Sequence, residues 1–191
     1  MSLVRAGKWL GKATSLTTTQ RNLENSSSNF RQPKSSISTS ASSEVVVWRS
    51  YSGEADDQAT ERIALIAEDG QETKSIALDL VKMGYEVHHT TDLDAMLDSV
   101  LAQPKDWHFI MFDLDFFESI EDAVDDLTAF REMCWSIPVL LMSSAVSRDE
   151  LSDYRRSVGD ATLRKPVYHA RLQDGIDAMK QNSETALLTS A

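Results

Sequence analysis

At 191 residues, with 41% hydrophobic and 26% charged residues, the chain has the make-up of one water-soluble globular domain. No apolar run approaches the roughly 18 residues of a membrane span. The single cysteine, Cys134, excludes an internal disulfide framework and a multi-cysteine zinc site, which fits a reducing, cytoplasmic setting.

The net charge of −11 is unevenly spread. Residues 1–43 carry six basic residues against Glu24 alone, and the remainder carries thirteen basic against twenty-nine acidic residues. So acidic a body repels phosphate backbones, which excludes nucleic acid as its partner.

Residues 1–60 are read as a disordered, basic, Ser-rich tail and linker. Runs such as Ser26-Ser27-Ser28 give no apolar periodicity able to offset the entropy of ordering. Within the tail, Met1 to Lys12 leaves open a short interfacial helix or an organelle transit peptide. Val45 to Trp48 is sketched as a short extra edge strand or docking segment.

From Arg62 the signals alternate between strand and helix. Arg62 to Ala67 is a short apolar run stopped by Glu68-Asp69-Gly70, the pattern of a buried parallel strand. Ile76, Leu80 and Met83 follow at helical spacing, and Gly84 ends that helix. Tyr85 to His89 reads as a more polar strand near the sheet edge. Thr91 and Asp94 then cap a helix carrying Met96, Leu97 and Val100.

Trp107 to Phe112 is the most apolar strand and is placed centrally, running into Asp113-Leu114-Asp115. Ser119 and Asp122 start a helix whose expected buried face is Ile120, Val124, Leu127, Phe130 and Met133. Pro138 to Met142 is a fourth strand, ending at Ser143-Ser144. Ser147 and Glu150 repeat the capping pattern and predict a short helix through Arg156. Ala161 to Leu163 is a fifth strand, followed by Arg164-Lys165-Pro166, and the last helix spans Tyr168 to Lys180. The domain is bounded at 61–182, with 183–191 as a C-terminal tail.

Alternation of this kind predicts an α/β fold, a five-stranded parallel sheet covered on both faces, with ligands bound beyond the carboxyl ends of the strands. Those ends carry Glu68 and Asp69, then Asp113 and Asp115, then Ser143, then Lys165. Clustered carboxylates suit a hard divalent cation, and a carboxylate can act as a nucleophile towards phosphorus. An ammonium and a hydroxyl suit the oxygens of a phosphoryl group.

In these residues the chain resembles the response-regulator receiver domains of two-component signalling. The likeness rests on "IALIAEDG", "WHFIMFDLD", "IPVLLMSSA" and "LRKPV", in order. It implies a doubly wound, CheY-like sheet of strand order 2-1-3-4-5. It implies Asp113 as phosphoacceptor and Mg²⁺ held by Glu68, Asp69, Asp113 and the backbone carbonyl of Asp115. Ser143 matches the switch hydroxyl and Lys165 the invariant lysine, with a cis Lys165–Pro166 bond. The partners implied are a histidine kinase or histidine phosphotransferase and a downstream protein target.

Two departures are visible. Asp115-Phe116-Phe117-Glu118 replaces the usual loop after the acceptor, leaving two phenylalanines either exposed or packed under the next helix. Thr162 stands where the family has an aromatic switch residue. With nine residues after Asn182, the expectation is a stand-alone receiver signalling by protein contact, not a turnover enzyme. Two alternatives remain: a pseudo-receiver used only for docking, and a haloacid-dehalogenase-type phosphatase with Asp113 as nucleophile and Asp115 as general acid.

Overall fold

The computed structural model describes residues 17–23, 44–50 and 61–189. Seven strands form one sheet: β1 (Thr17–Leu23), β2 (Glu44–Ser50), β3 (Arg62–Ile66), β4 (Glu86–Thr90), β5 (Phe109–Asp113), β6 (Val139–Ser143) and β7 (Ala161–Arg164). Their spatial order is β1-β2-β4-β3-β5-β6-β7. The last five form the expected parallel 2-1-3-4-5 core, and β2 adds to it antiparallel to β4.

Helices α1 (Gln71–Lys82), α2 (Leu93–Ala102), α3 (Ile120–Met133) and α4 (His169–Thr189) cover both faces. Alternation along each strand divides the core in two. Leu65, Met111 and Met142 face α1 and α4, packing with Leu80, Ile176 and Met179. Their neighbours Ile66, Phe112 and Leu141 face α2 and α3, packing with Leu97, Leu127 and Phe130. Among the described residues no helix is long and apolar enough to cross a membrane.

Local signals explain most element ends. Gly84 takes φ 99° just after α1, a conformation that costs glycine little. Ser119 Oγ accepts from the Asp122 amide as the expected cap of α3. Asp92, one residue beyond the predicted Thr91, caps α2 by accepting from the Ala95 amide.

Several expectations need correction. Val45 to Trp48 lies in a strand, but the strand runs over Glu44–Ser50 and is flanked by β1, so it is not the edge. Thr17–Leu23, expected to be disordered, pairs parallel with β2. A strand there satisfies backbone groups by pairing, which needs no apolar periodicity. The N-terminal helix or transit segment lies outside the described residues.

The tail expected from residue 183 is helical to Thr189, because Ser183 and Ala186 are buried along α4. On α3 the buried face is Ala123, Leu127, Phe130 and Arg131, leaving Ile120, Val124 and Met133 exposed. No helix follows β6. Asp153–Arg155 makes only a 3-10 turn, and Glu150 instead pairs with Thr162, each amide donating to the other's carbonyl at 2.8 Å.

Candidate functional site

Parallel strands bring their carboxyl ends to one sheet edge, and the site is built on the ends of β5, β6 and β7. Asp113 ends β5 with its side chain 8% exposed. Asp113 Oδ1 accepts from the Asp115 amide at 3.1 Å, which turns the chain back over the strand end. Its Oδ2 accepts from Lys165 Nζ at 2.7 Å. Lys165 follows β7, and its amide donates to the Ser143 carbonyl at 3.0 Å. The Lys165–Pro166 bond is cis, as the resemblance implied.

The Lys165 ammonium lies among three carboxylates: Asp113 at 2.7 Å, Asp115 at 3.2 Å and Glu72 at 3.5 Å. Burial pulls its pKa down, but the carboxylates outweigh this and raise it. Burial pushes the Asp113 carboxyl up, and the lysine offsets only part of that. Burial also acts upward on Asp115, yet the Ser144 amide, the Ser143 hydroxyl and the ammonium together hold it below its ordinary value.

Asp115 enters the site through its carboxylate as well, a role separate from the metal contact expected of its carbonyl. Its Oδ1 accepts from Ser143 Oγ at 2.9 Å, and the Ser144 amide donates to both oxygens at 3.0 and 3.1 Å. Ser143, at the end of β6, is 1% exposed, and its hydroxyl accepts in turn from the Ala145 amide. Phe116 and Phe117 are both half-buried against the α2/α3 side of the core, edge to face at 5.9 Å.

The structure thus joins Asp113, Asp115, Ser143 and Lys165, and does not bring in Glu68 and Asp69. Both are exposed; the Asp69 side chain is 76% exposed and approaches His89 Nδ1 at 3.7 Å. Among the described residues no three His, Cys, Asp or Glu side chains converge as a metal ion would need. Of the side chains expected to hold Mg²⁺, Glu68 and Asp69 lie exposed in this arrangement, while Asp113 is engaged by the Lys165 ammonium.

Three participants escaped the sequence reading. Glu72 sits in the first turn of α1, where an acid serves the helix N-terminus and gives no other signal. Asp149 accepts from the Arg164 amide at 2.7 Å and from Arg171 Nε at 2.8 Å and Nη2. Arg171 also donates to the Arg164 and Pro166 carbonyls at 2.7 and 2.8 Å, clamping the turn that carries Lys165.

No protein-family model and no curated protein matches the chain. Solved structures do. A response regulator receiver domain protein from Clostridium thermocellum is 16% identical, covering 68% of this chain and 98% of its own, with a TM-score of 0.51. A putative pilus assembly-related protein from Burkholderia pseudomallei is 22% identical over 66% of this chain and 92% of its own, at 0.50. The N-terminal domain of a response regulator/sensory box/GGDEF 3-domain protein from Carboxydothermus hydrogenoformans is 18% identical over 69% of this chain and 100% of its own, also at 0.50. What these share with the chain is the path of its backbone: it has the α/β fold of response-regulator receiver domains.

Proposed function

We propose that this chain is a receiver in which Asp113 accepts a phosphoryl group from the phosphohistidine of a histidine kinase or histidine phosphotransferase. Its output is contact with a downstream protein, in the cytoplasm. The observation that carries this reading is Lys165 Nζ at 2.7 Å from Asp113 Oδ2, with the Ser143 hydroxyl on the neighbouring strand end.

In the transfer, an Asp113 carboxylate oxygen attacks phosphorus and the P–N bond of the donor breaks. The bonding electrons stay on the imidazole nitrogen, which takes a proton from solvent. Lys165 moves from the carboxylate to a phosphoryl oxygen, and Ser143 donates to another.

Intact-mass measurement after incubation with acetyl phosphate, with and without Mg²⁺, tests the reading. The expected result is a gain of one phosphoryl mass, lost in Asp113→Asn. An equal gain in that variant would overturn it.

The exposed Glu68 and Asp69 and the engaged Asp115 carboxylate favour a second reading, a receiver fold used for docking without phosphorylation. Partner binding unchanged in Asp113→Asn would support it. The phosphatase alternative fits poorly, since a general acid must hold a proton near the working pH and Asp115 is shifted the opposite way.

A further inference from the structure

The donors that would receive phosphoryl oxygens already hold an anion. The Ser143 hydroxyl, the Ser144 amide and the Lys165 ammonium come from the ends of β6 and β7, and all three converge on the Asp115 carboxylate at 2.9 to 3.2 Å. An acid merely flanking a buried strand would be solvated. This one accepts a hydroxyl, an amide and an ammonium from elements 28 or more residues away.

We propose that the Asp115 carboxylate is a built-in occupant of the phosphoryl-oxygen cradle. It holds Ser143, Ser144 and Lys165 in an anion-bound arrangement before any phosphoryl transfer, and it must leave for transfer to occur. The phosphoryl half of this statement rests on the proposed function; the occupancy of the cradle does not.

The electrostatics make the two anions exclusive. A phosphoryl group arriving with Asp115 in place would add its charge to Asp113, Asp115 and Glu72 around a single ammonium. A way out exists, because the Asp115 side chain is 28% exposed and so has water on one side. Charge-assisted hydrogen bonds to a carboxylate are stronger than neutral ones. Their loss corresponds to a change of roughly tenfold to a hundredfold in competition for the cradle.

Two measurements on the full chain separate the parts of the proposal. The first follows the backbone amides of Ser144 and Ala145 by NMR while inorganic phosphate is added to wild type, Asp115→Ala and the near-isosteric Asp115→Asn. Phosphate should move these amides in Asp115→Ala at concentrations about tenfold or more below those that move them in wild type. Asp115→Asn, which keeps the shape and loses the charge, should fall between. Equal phosphate response in all three proteins, or none in Asp115→Ala with its amide dispersion retained, would overturn the proposal.

The second compares the rate of mass gain from acetyl phosphate. A faster gain in Asp115→Ala than in wild type supports both occupancy and Asp113 as acceptor. A mass gain at equal rates in both proteins overturns the gating. Phosphate binding confined to the Asp115 variants, with no mass gain in any protein, leaves occupancy standing and sinks the phosphoacceptor reading instead.

Discussion

Arg131 Nη2 lies 2.9 Å from Asp160 Oδ1, and the two side chains are 7% and 0% exposed. The pair bolts α3 to the start of β6. Arg131 Nη1 donates to the Ile137 carbonyl at 2.7 Å, and Asp160 Oδ2 accepts from the Val139 amide at 2.7 Å. Breaking a buried pair outright costs about 3–5 kcal/mol, and here Asp160 would keep the Val139 amide and the Arg156 guanidinium at 3.7 Å, which offset part of that. Arg131→Met should therefore lower the urea midpoint. Arg131→Met combined with Asp160→Asn should recover part of the loss, and strict additivity of the two would refute the coupling.

The Asp149–Arg171 pair predicts an acid limit. The Arg171 guanidinium, helped by the Arg164 amide, holds the Asp149 carboxyl below its ordinary value. A depressed folded-state pKa stabilises the fold above the unfolded value, about 3.9, and that contribution fades as pH falls through the lower folded value. Thermal midpoints taken from pH 6 downwards (about 3 at the low end) should drop less steeply in Asp149→Asn than in wild type. Parallel curves would remove Asp149 as a source of acid sensitivity.

Two glycines should respond differently to alanine. At Gly159 an added Cβ would meet Leu141 Cγ at 2.6 Å and Cδ1 at 2.7 Å, so the whole buried branch must move. Overpacking of this kind costs about 1–3 kcal/mol. At Gly175, inside α4, the Cβ would meet both Leu163 methyls at 2.8 Å, but helix propensity returns up to about 1 kcal/mol. Urea unfolding should rank Gly159→Ala as the less stable variant.

The N-terminal strands should prove part of the stable unit. Val45, Val47 and Trp48 of β2 are buried against the core, and Thr90 Oγ1 donates to the Glu44 carbonyl at 3.3 Å. Each apolar side chain of this size contributes at most about 1.5–3 kcal/mol on burial. A chain beginning at Glu61 should lose several kcal/mol in urea unfolding. It should also self-associate on size-exclusion chromatography through the uncovered β4 edge. An unchanged midpoint would make β2 an ornament.

The parallel core and the residues at its strand ends were legible because buried parallel strands read as unbroken apolar runs with an abrupt polar stop. That is how Asp113, Ser143 and Lys165 could be placed together although they are far apart in sequence. The segment after β6 was misread for an equally physical reason. Ser147 and Glu150 form a local capping pattern, and local patterns lose when long-range partners bind the same backbone. Here Thr162 takes the Glu150 backbone and Arg171 takes Asp149. The role of the Asp115 side chain was hidden differently: spacing puts an acid near the site but does not say that its carboxylate meets Ser143 and Ser144. The α3 face was misjudged because Ile120 and Val124 are apolar yet exposed, while Arg131 is charged yet buried.

The pairing of Glu150 with Thr162 has a consequence for how other proteins can read this domain. Along β7 the residues whose backbone faces away from β6 are Thr162 and Arg164. Both Thr162 groups are bonded to Glu150, the Arg164 amide to Asp149, and the Arg164 carbonyl to Arg171. A neighbouring chain therefore finds no open hydrogen-bonding row on which to lay a strand, the usual opening for recognition by β-addition and for runaway edge pairing. At this end of the sheet, selectivity for a partner has to be written in side chains.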